Sequence, residues 1–177
     1  EAVLALDPKH PLANHLTIHA VEASPHPERA DAAADALRDL QPGLGHLVHM
    51  PSHIDVRRGR WQQAIDANAK AIEADRRYRA RSPKQGFYRL YMAHNHHMLT
   101  YGAMMTGQSE IALKTIREMA AGIPLEFVKE NPWADGFLAM PLEVLMRFGR
   151  WDEILAEPEL AEFAPISRSL RRYARAV

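Results

Sequence analysis

Apolar positions along this chain recur at helical spacing, and alternating runs of β-branched residues are nearly absent. Ala, Leu, Arg and Glu dominate, a choice that favours helix over strand. Proline and glycine divide the pattern into pairs of helices. HPERADAAADALRDLQPG opens at Pro27 and closes at Pro42 and Gly43. GRWQQAIDANAKAIEAD opens after Gly59, GQSEIALKTIREMAAGIP after Gly107 and GRWDEILAEP after Gly149. Each follows another helical stretch of about thirteen residues or more, long enough for a stable packed helix. EAVLALDP reads as the last turns of a helix stopped before Pro8, and RRYARAV breaks off inside a helical pattern. Glu1 is no start methionine and no signal-peptide pattern follows it, so both ends predict a fragment of a longer protein. The apolar helix faces left at such ends predict homodimerisation, and no compartment can be read.

The punctuation repeats. Gly59-Arg60-Trp61 and Gly149-Arg150-Trp151 are the same turn, and Gly107-Gln108-Ser109 holds the same place. Ala64 and Ala112 stand five residues beyond their glycines, and Ala71 twelve beyond Gly59. This pattern resembles the tetratricopeptide repeat (TPR) superfamily, with its 34-residue unit of two helices. Gly59, Trp61, Ala64 and Ala71 fit that unit. Ala30 and Pro42 fit one unit earlier, where Pro25 and Pro27 replace the turn glycine and aromatic. The resemblance implies an all-α fold, antiparallel helix pairs stacked as a right-handed superhelix. It implies one domain over 1–177, with a partial repeat at 1–10, repeats at about 11–43, 44–80, 88–122 and 132–160, and a partial helix at 165–177. The turn positions 25, 59, 107 and 149 are 34, 48 and 42 apart, so the last two units carry insertions, assigned to RRYRARSPKQGFYRL and IPLEFVKENPWADG. The first predicts a basic loop of Arg76, Arg77, Arg79, Arg81 and Lys84, and the second a segment that folds over a groove. Trp61 and Trp151 are expected to pack each first helix on its second.

Repeat register changes the meaning of the histidines. Eight of the ten lie in three short windows. His15, His49 and His97 share one position of their first helices, followed four residues later by His19, His53 and Tyr101. Three residues before the first set come Leu12, His46 and His94, and three after the second come Glu22, Val56 and Met104. At ~100° per residue these offsets fall within an arc of ~60°, so each helix carries one stripe. His96 falls off it. The resemblance places this stripe on the concave wall of the superhelix, where ligands of the superfamily bind, and it is similar to histidine-rich helices of bacterial TPR proteins. The fourth unit offers Gly136, Ala139, Glu143 and Met146 there.

Composition narrows the chemistry. Lys+Arg and Asp+Glu both number 22, which gives no reason to expect a nucleic-acid partner, and no apolar run is long enough to span a membrane. Cysteine is absent, so disulfides and thiolate metal sites are excluded. Imidazole suits Zn, Cu, Ni and Fe, and a His-x3-His pair on one helix offers two nitrogens to one ion. HLTIHAVE adds a carboxylate to such a pair, and HLVHMPSH carries three imidazoles. The candidate ligands are His15, His19, Glu22, His46, His49, His53, His94, His97 and Tyr101, with Glu22 an anionic ligand or general base. Asn14 and Asn95 are candidate partners for the second ring nitrogens. Met50, Met98, Met104 and Met105 lie nearby but have the spacing of core residues. The glutamate that a helical metalloprotease motif needs directly after its first histidine is missing, with Leu16, Leu47 or Met50 there instead. No nucleophile, phosphate loop or dinucleotide fingerprint accompanies the histidines, so an enzyme is the less favoured reading. A protein or peptide held in the groove by these histidines, and plain structural packing, account for the same pattern.

Overall fold

The computed structural model describes residues 2–177, and every regular element among them is helical. The chain divides into two compact units, residues 1–106 and 107–177. The first contains α1 (Ala2–Leu6), α2 (Pro11–Glu22), α3 (Asp31–Leu37, entered through a 3-10 turn at Pro27–Ala30), α4 (Gly45–His49) and α5 (Pro51–Arg57). It continues with α6 (Trp61–Arg81) and α7 (Arg89–Met105, entered through a 3-10 turn at Gly86–Tyr88).

Local chemistry sets these boundaries. Pro11 opens α2, where a missing N–H costs nothing, and the His10 ring nitrogen Nδ1 accepts the Ala13 N–H at 3.3 Å. Between α4 and α5, Met50 keeps helical dihedrals but Pro51 has no N–H to donate, so the ladder is interrupted there. α5 ends at Gly59, whose φ of +70° is open only to glycine at low cost. The Gly59 N–H bonds Val56 O at 3.2 Å and the Arg60 N–H bonds Asp55 O at 2.8 Å, the two bonds of a Schellman close.

α6 runs antiparallel to α4 and α5, since contacts descend along it as they ascend along its partners. Gly45 meets Asp75 and Ala71, and His49 meets Asn68. A Cβ at Gly45 would stand 2.2 Å from Asp75 Oδ1, so only glycine lets α4 lie this close to α6. α7 returns antiparallel along α6. Its Asn95 donates to Asp75 Oδ2 at 2.7 Å, and Gly102 leaves room for Ile65 and the Trp61 carbonyl. Behind the α2 and α5 histidines, Ile18, Ala30, Ala33, Ala34, Leu37, Met50 and Ile54 form an apolar core, which explains the buried methionine. Within this unit Asp55 is fully buried and takes a two-pronged bond from Arg38, at 2.9 and 2.8 Å, tying α5 to the end of α3.

The second unit contains α8 (Ser109–Ala121), α9 (Leu125–Glu130), α10 (Met140–Arg147, entered through a long 3-10 segment at Pro132–Ala139), α11 (Trp151–Ala156) and α12 (Pro165–Ala174). Buried Leu113, Ile116, Val128, Leu142, Leu145 and Ile154 supply its interior. The buried Asp135 carboxylate accepts the Ile166 and Ser167 N–H groups at 2.6 and 3.1 Å, which holds the start of α12.

The glycine turns share one geometry. Gly59, Gly107 and Gly149 have φ of +70°, +76° and +63°. The residues after them, Arg60, Gln108 and Arg150, have φ/ψ of −85°/60°, −87°/70° and −84°/60°. One expectation needs correction. The basic stretch is no loop: Arg76, Arg77, Arg79 and Arg81 ride the last turns of α6, because nothing breaks the helix before Ser82 and Pro83. IPLEFVKENPW forms α9 and the start of the 3-10 segment. Trp151 is 48% exposed beside Gly149, and Trp61 packs edge-on to Tyr101 of α7, with ring centroids 5.7 Å apart.

Candidate metal centre

Six imidazoles meet on one wall of the first unit, from α2, α4, α5 and α7. They fall into two groups, His49, His53 and His94, and His15, His19 and His46. In each, one ligand atom per residue lies within 4.8 Å of the others.

The first group is oriented by its outer bonds. The Asn68 amide on α6 donates to Ala64 O at 2.8 Å, which leaves its Oδ1 to accept the His49 Nδ1–H at 2.8 Å. Ser52 Oγ stands 3.3 Å from the same nitrogen. Glu22 accepts the His53 Nδ1–H on Oε2 at 2.5 Å. Each neutral ring then carries its lone pair on Nε2. Those two Nε2 atoms stand 2.8 Å apart, so in this pair of tautomers their lone pairs face each other, and either a shared proton or a metal cation would satisfy both. His94 closes the third side, its ring centroid 4.8 Å from that of His49 and 5.5 Å from that of His53.

The second group borders the first. Glu22 also accepts the His19 Nδ1–H on Oε1, at 2.7 Å. His15 Nε2 and His46 Nε2 are 3.1 Å apart, and the buried Nδ1 atoms of both rings have no hydrogen-bond partner among the described residues. Ring centroids of His19 and His53 are 5.4 Å apart, and those of His46 and His49 5.9 Å.

Burial sets the charge state. His49, fully buried, is held well below the usual histidine value by desolvation and then by the other imidazoles. Desolvation first, and neighbouring rings second, push His46 and His94 down to about 4. The same burial lowers His15 and His53, with Glu22 opposing. Burial works to raise Glu22, but the hydrogen bond from His19 and the charges of His53 and His19 prevail and hold it below the usual carboxylate range. His15, His46, His49, His53 and His94 are therefore neutral near pH 7, the form that ligates metal, beside one ionised carboxylate.

Several sequence-predicted residues stand elsewhere. His97 and Tyr101 lie outside both groups. Asn95 and Gly102 face α6 and fix the rotation of α7, which turns His94 to the wall and His97 about 60° further round. Tyr101 instead meets Trp61. Asn14 bonds Pro8 O and His10 O, and Asn95 bonds Asp75, so neither orients a histidine. Glu22 belongs to neither ligand group and holds the outer nitrogens of His19 and His53. His96 donates to Met92 O at 2.9 Å. Two members of the wall went unread. Asn68 is the polar residue between Ala64 and Ala71 on the buried face of α6. Tyr91, one turn before His94, has its ring centroid 4.7 Å from that of His46.

No protein-family model matches the chain, and no curated protein or solved structure matches it either. Among the described residues no helix is long and apolar enough to cross a membrane.

Proposed function

We propose that this chain is a TPR-like helical-repeat module, a right-handed stack of antiparallel helix pairs, whose histidine wall binds a transition-metal ion. The repeat reading is supported by the three glycine turns of one geometry and by α4–α5, α6 and α7 running antiparallel in succession. The metal reading is carried by one observation: the His49 and His53 Nε2 atoms face each other at 2.8 Å while Asn68 and Glu22 stand at their Nδ1 atoms, ready to hold the protons on the far side. Metal-ligating histidines are oriented in this way. Tetrahedral zinc holds its nitrogens ~3.3 Å apart. The 2.8 Å of the His49–His53 pair is a little shorter than this, so the two rings would part slightly around an ion. An all-imidazole set selects Zn, Cu, Ni or Fe over Mg or Ca. Three protein nitrogens leave a fourth position for water or a ligand atom. The test is elemental analysis of untagged protein purified without chelator. At least one equivalent of a first-row transition metal per chain is expected. Protein that arrives empty and takes up no zinc, copper or nickel at micromolar concentration would overturn the reading.

A further inference from the structure

The six imidazoles are too many for one ion. Zinc and its neighbours in protein sites take about four ligands. One ion at His49, His53 and His94 leaves His15, His19 and His46 as a complete second set on its border. That set is not settled by protein partners alone. If His15 and His46 share one proton between their Nε2 atoms, a buried Nδ1 on each ring is left without a partner, one of them with a free lone pair. His19, by contrast, is prepared as a ligand, because Glu22 accepts its Nδ1–H and leaves Nε2 free.

Glu22 joins the two sets. Its Oε1 orients His19 of one and its Oε2 orients His53 of the other, at 2.7 and 2.5 Å. The sets also touch through His46 and His49, whose rings stack with centroids 5.9 Å apart. The outer edge is open, since the His19 side chain is 39% exposed, whereas His49 at the inner end is fully buried. A path from solvent therefore reaches the second set first.

Building on the metal-binding reading above, we propose that the wall is a two-metal centre. One divalent transition-metal ion is held by His49, His53 and His94, and a second by His15, His19 and His46. Glu22 is the shared carboxylate that orients one ligand of each. Neither ion has more than three protein nitrogens, so water or a small anion would complete both.

Stoichiometry tests this directly. Apo protein, stripped with chelator and dialysed, is titrated with Co(II) and with Zn(II) by calorimetry, and visible absorption follows cobalt. Wild-type protein is expected to take two equivalents of either metal. His15→Ala and His94→Ala, at opposite ends of the wall, should each take one. Copper-loaded wild type should show a half-field signal of two coupled Cu(II) ions in electron paramagnetic resonance, absent in His15→Ala. A single equivalent in wild type, unchanged in His15→Ala, would overturn the two-metal centre and leave the metal-binding reading standing. No uptake at all would overturn that reading as well. Should either variant fail to fold by circular dichroism, the wild-type stoichiometry decides alone.

Discussion

Replacing Asn68 by alanine removes the amide that accepts the His49 Nδ1–H at the shorter distance. In the wild type, Asn68 Oδ1 accepts the His49 Nδ1–H at 2.8 Å inside a fully buried pair. The alanine leaves that N–H without its carbonyl acceptor. An unsatisfied buried donor costs about 1–3 kcal/mol. Ser52 Oγ, 3.3 Å away, takes over part of the bond, so the apo protein should lose about 1–2 kcal/mol. Without the acceptor, the proton no longer stays on Nδ1, and Nε2 is a poorer ligand. Loss of such an outer partner lowers metal affinity about 10–100-fold. Competition against a chromophoric chelator measures the affinity, and urea unfolding of the apo protein measures the stability. Asn68→Asp is the control, because a carboxylate still accepts the Nδ1–H. It should bind metal at least as tightly as wild type. A folded Asn68→Ala protein with wild-type affinity, or an Asn68→Asp protein as weak as the alanine variant, would refute the tautomer argument.

Gly45→Ala should destabilise the protein by about 1–3 kcal/mol in urea, because its Cβ meets Asp75 and the Ala71 carbonyl. Asn95 and Tyr88 hold Asp75 in place, so it cannot yield freely, and an unchanged midpoint would contradict this packing. Asp55→Asn breaks the buried pair with Arg38 and should cost about 3 kcal/mol, the low end for such a loss because Arg38 is 25% exposed. A loss below about 1 kcal/mol by the same measurement would contradict it. Apo stability should be full above about pH 6.5 and fall as pH drops toward 4. The folded values of His15, His46, His49, His53 and His94 all lie below 6.5, so the unfolded chain binds more protons in that window. Asp75, raised by burial, works the other way but is a single group. Urea midpoints that stay flat from pH 7 to 4.5 would contradict buried neutral histidines.

Much of the wall was legible in the spacing of the sequence. His15 and His19 four apart on one helix, His49 and His53 four apart ahead of the Gly59 turn, and Glu22 three residues past His19 all follow from helical spacing. Register failed on α7. Which face of that helix meets the wall depends on Asn95 reaching Asp75 and on Gly102 admitting Ile65, contacts across 20 and 37 residues that no local spacing encodes. So His94 enters one of the two ligand groups and His97 enters neither. Asn68 was missed for the same reason: its partner lies 19 residues away on another helix. A weak signal existed, since an amide between two buried alanines needs a bonding partner. The misread basic loop has a simpler cause. The 48-residue spacing between Gly59 and Gly107 assigned the whole stretch to an insertion, although the helix-stopping residues come only at Ser82 and Pro83.

Anomalous scattering locates a metal on this wall without reference to chemistry or to mutants. Crystals of untagged protein grown with Zn(II), with data collected on both sides of the zinc absorption edge, give the most direct test. An anomalous peak bonded to His49, His53 and His94 is predicted. A map without zinc at those nitrogens, from protein whose imidazoles are otherwise ordered on the wall, would contradict the account.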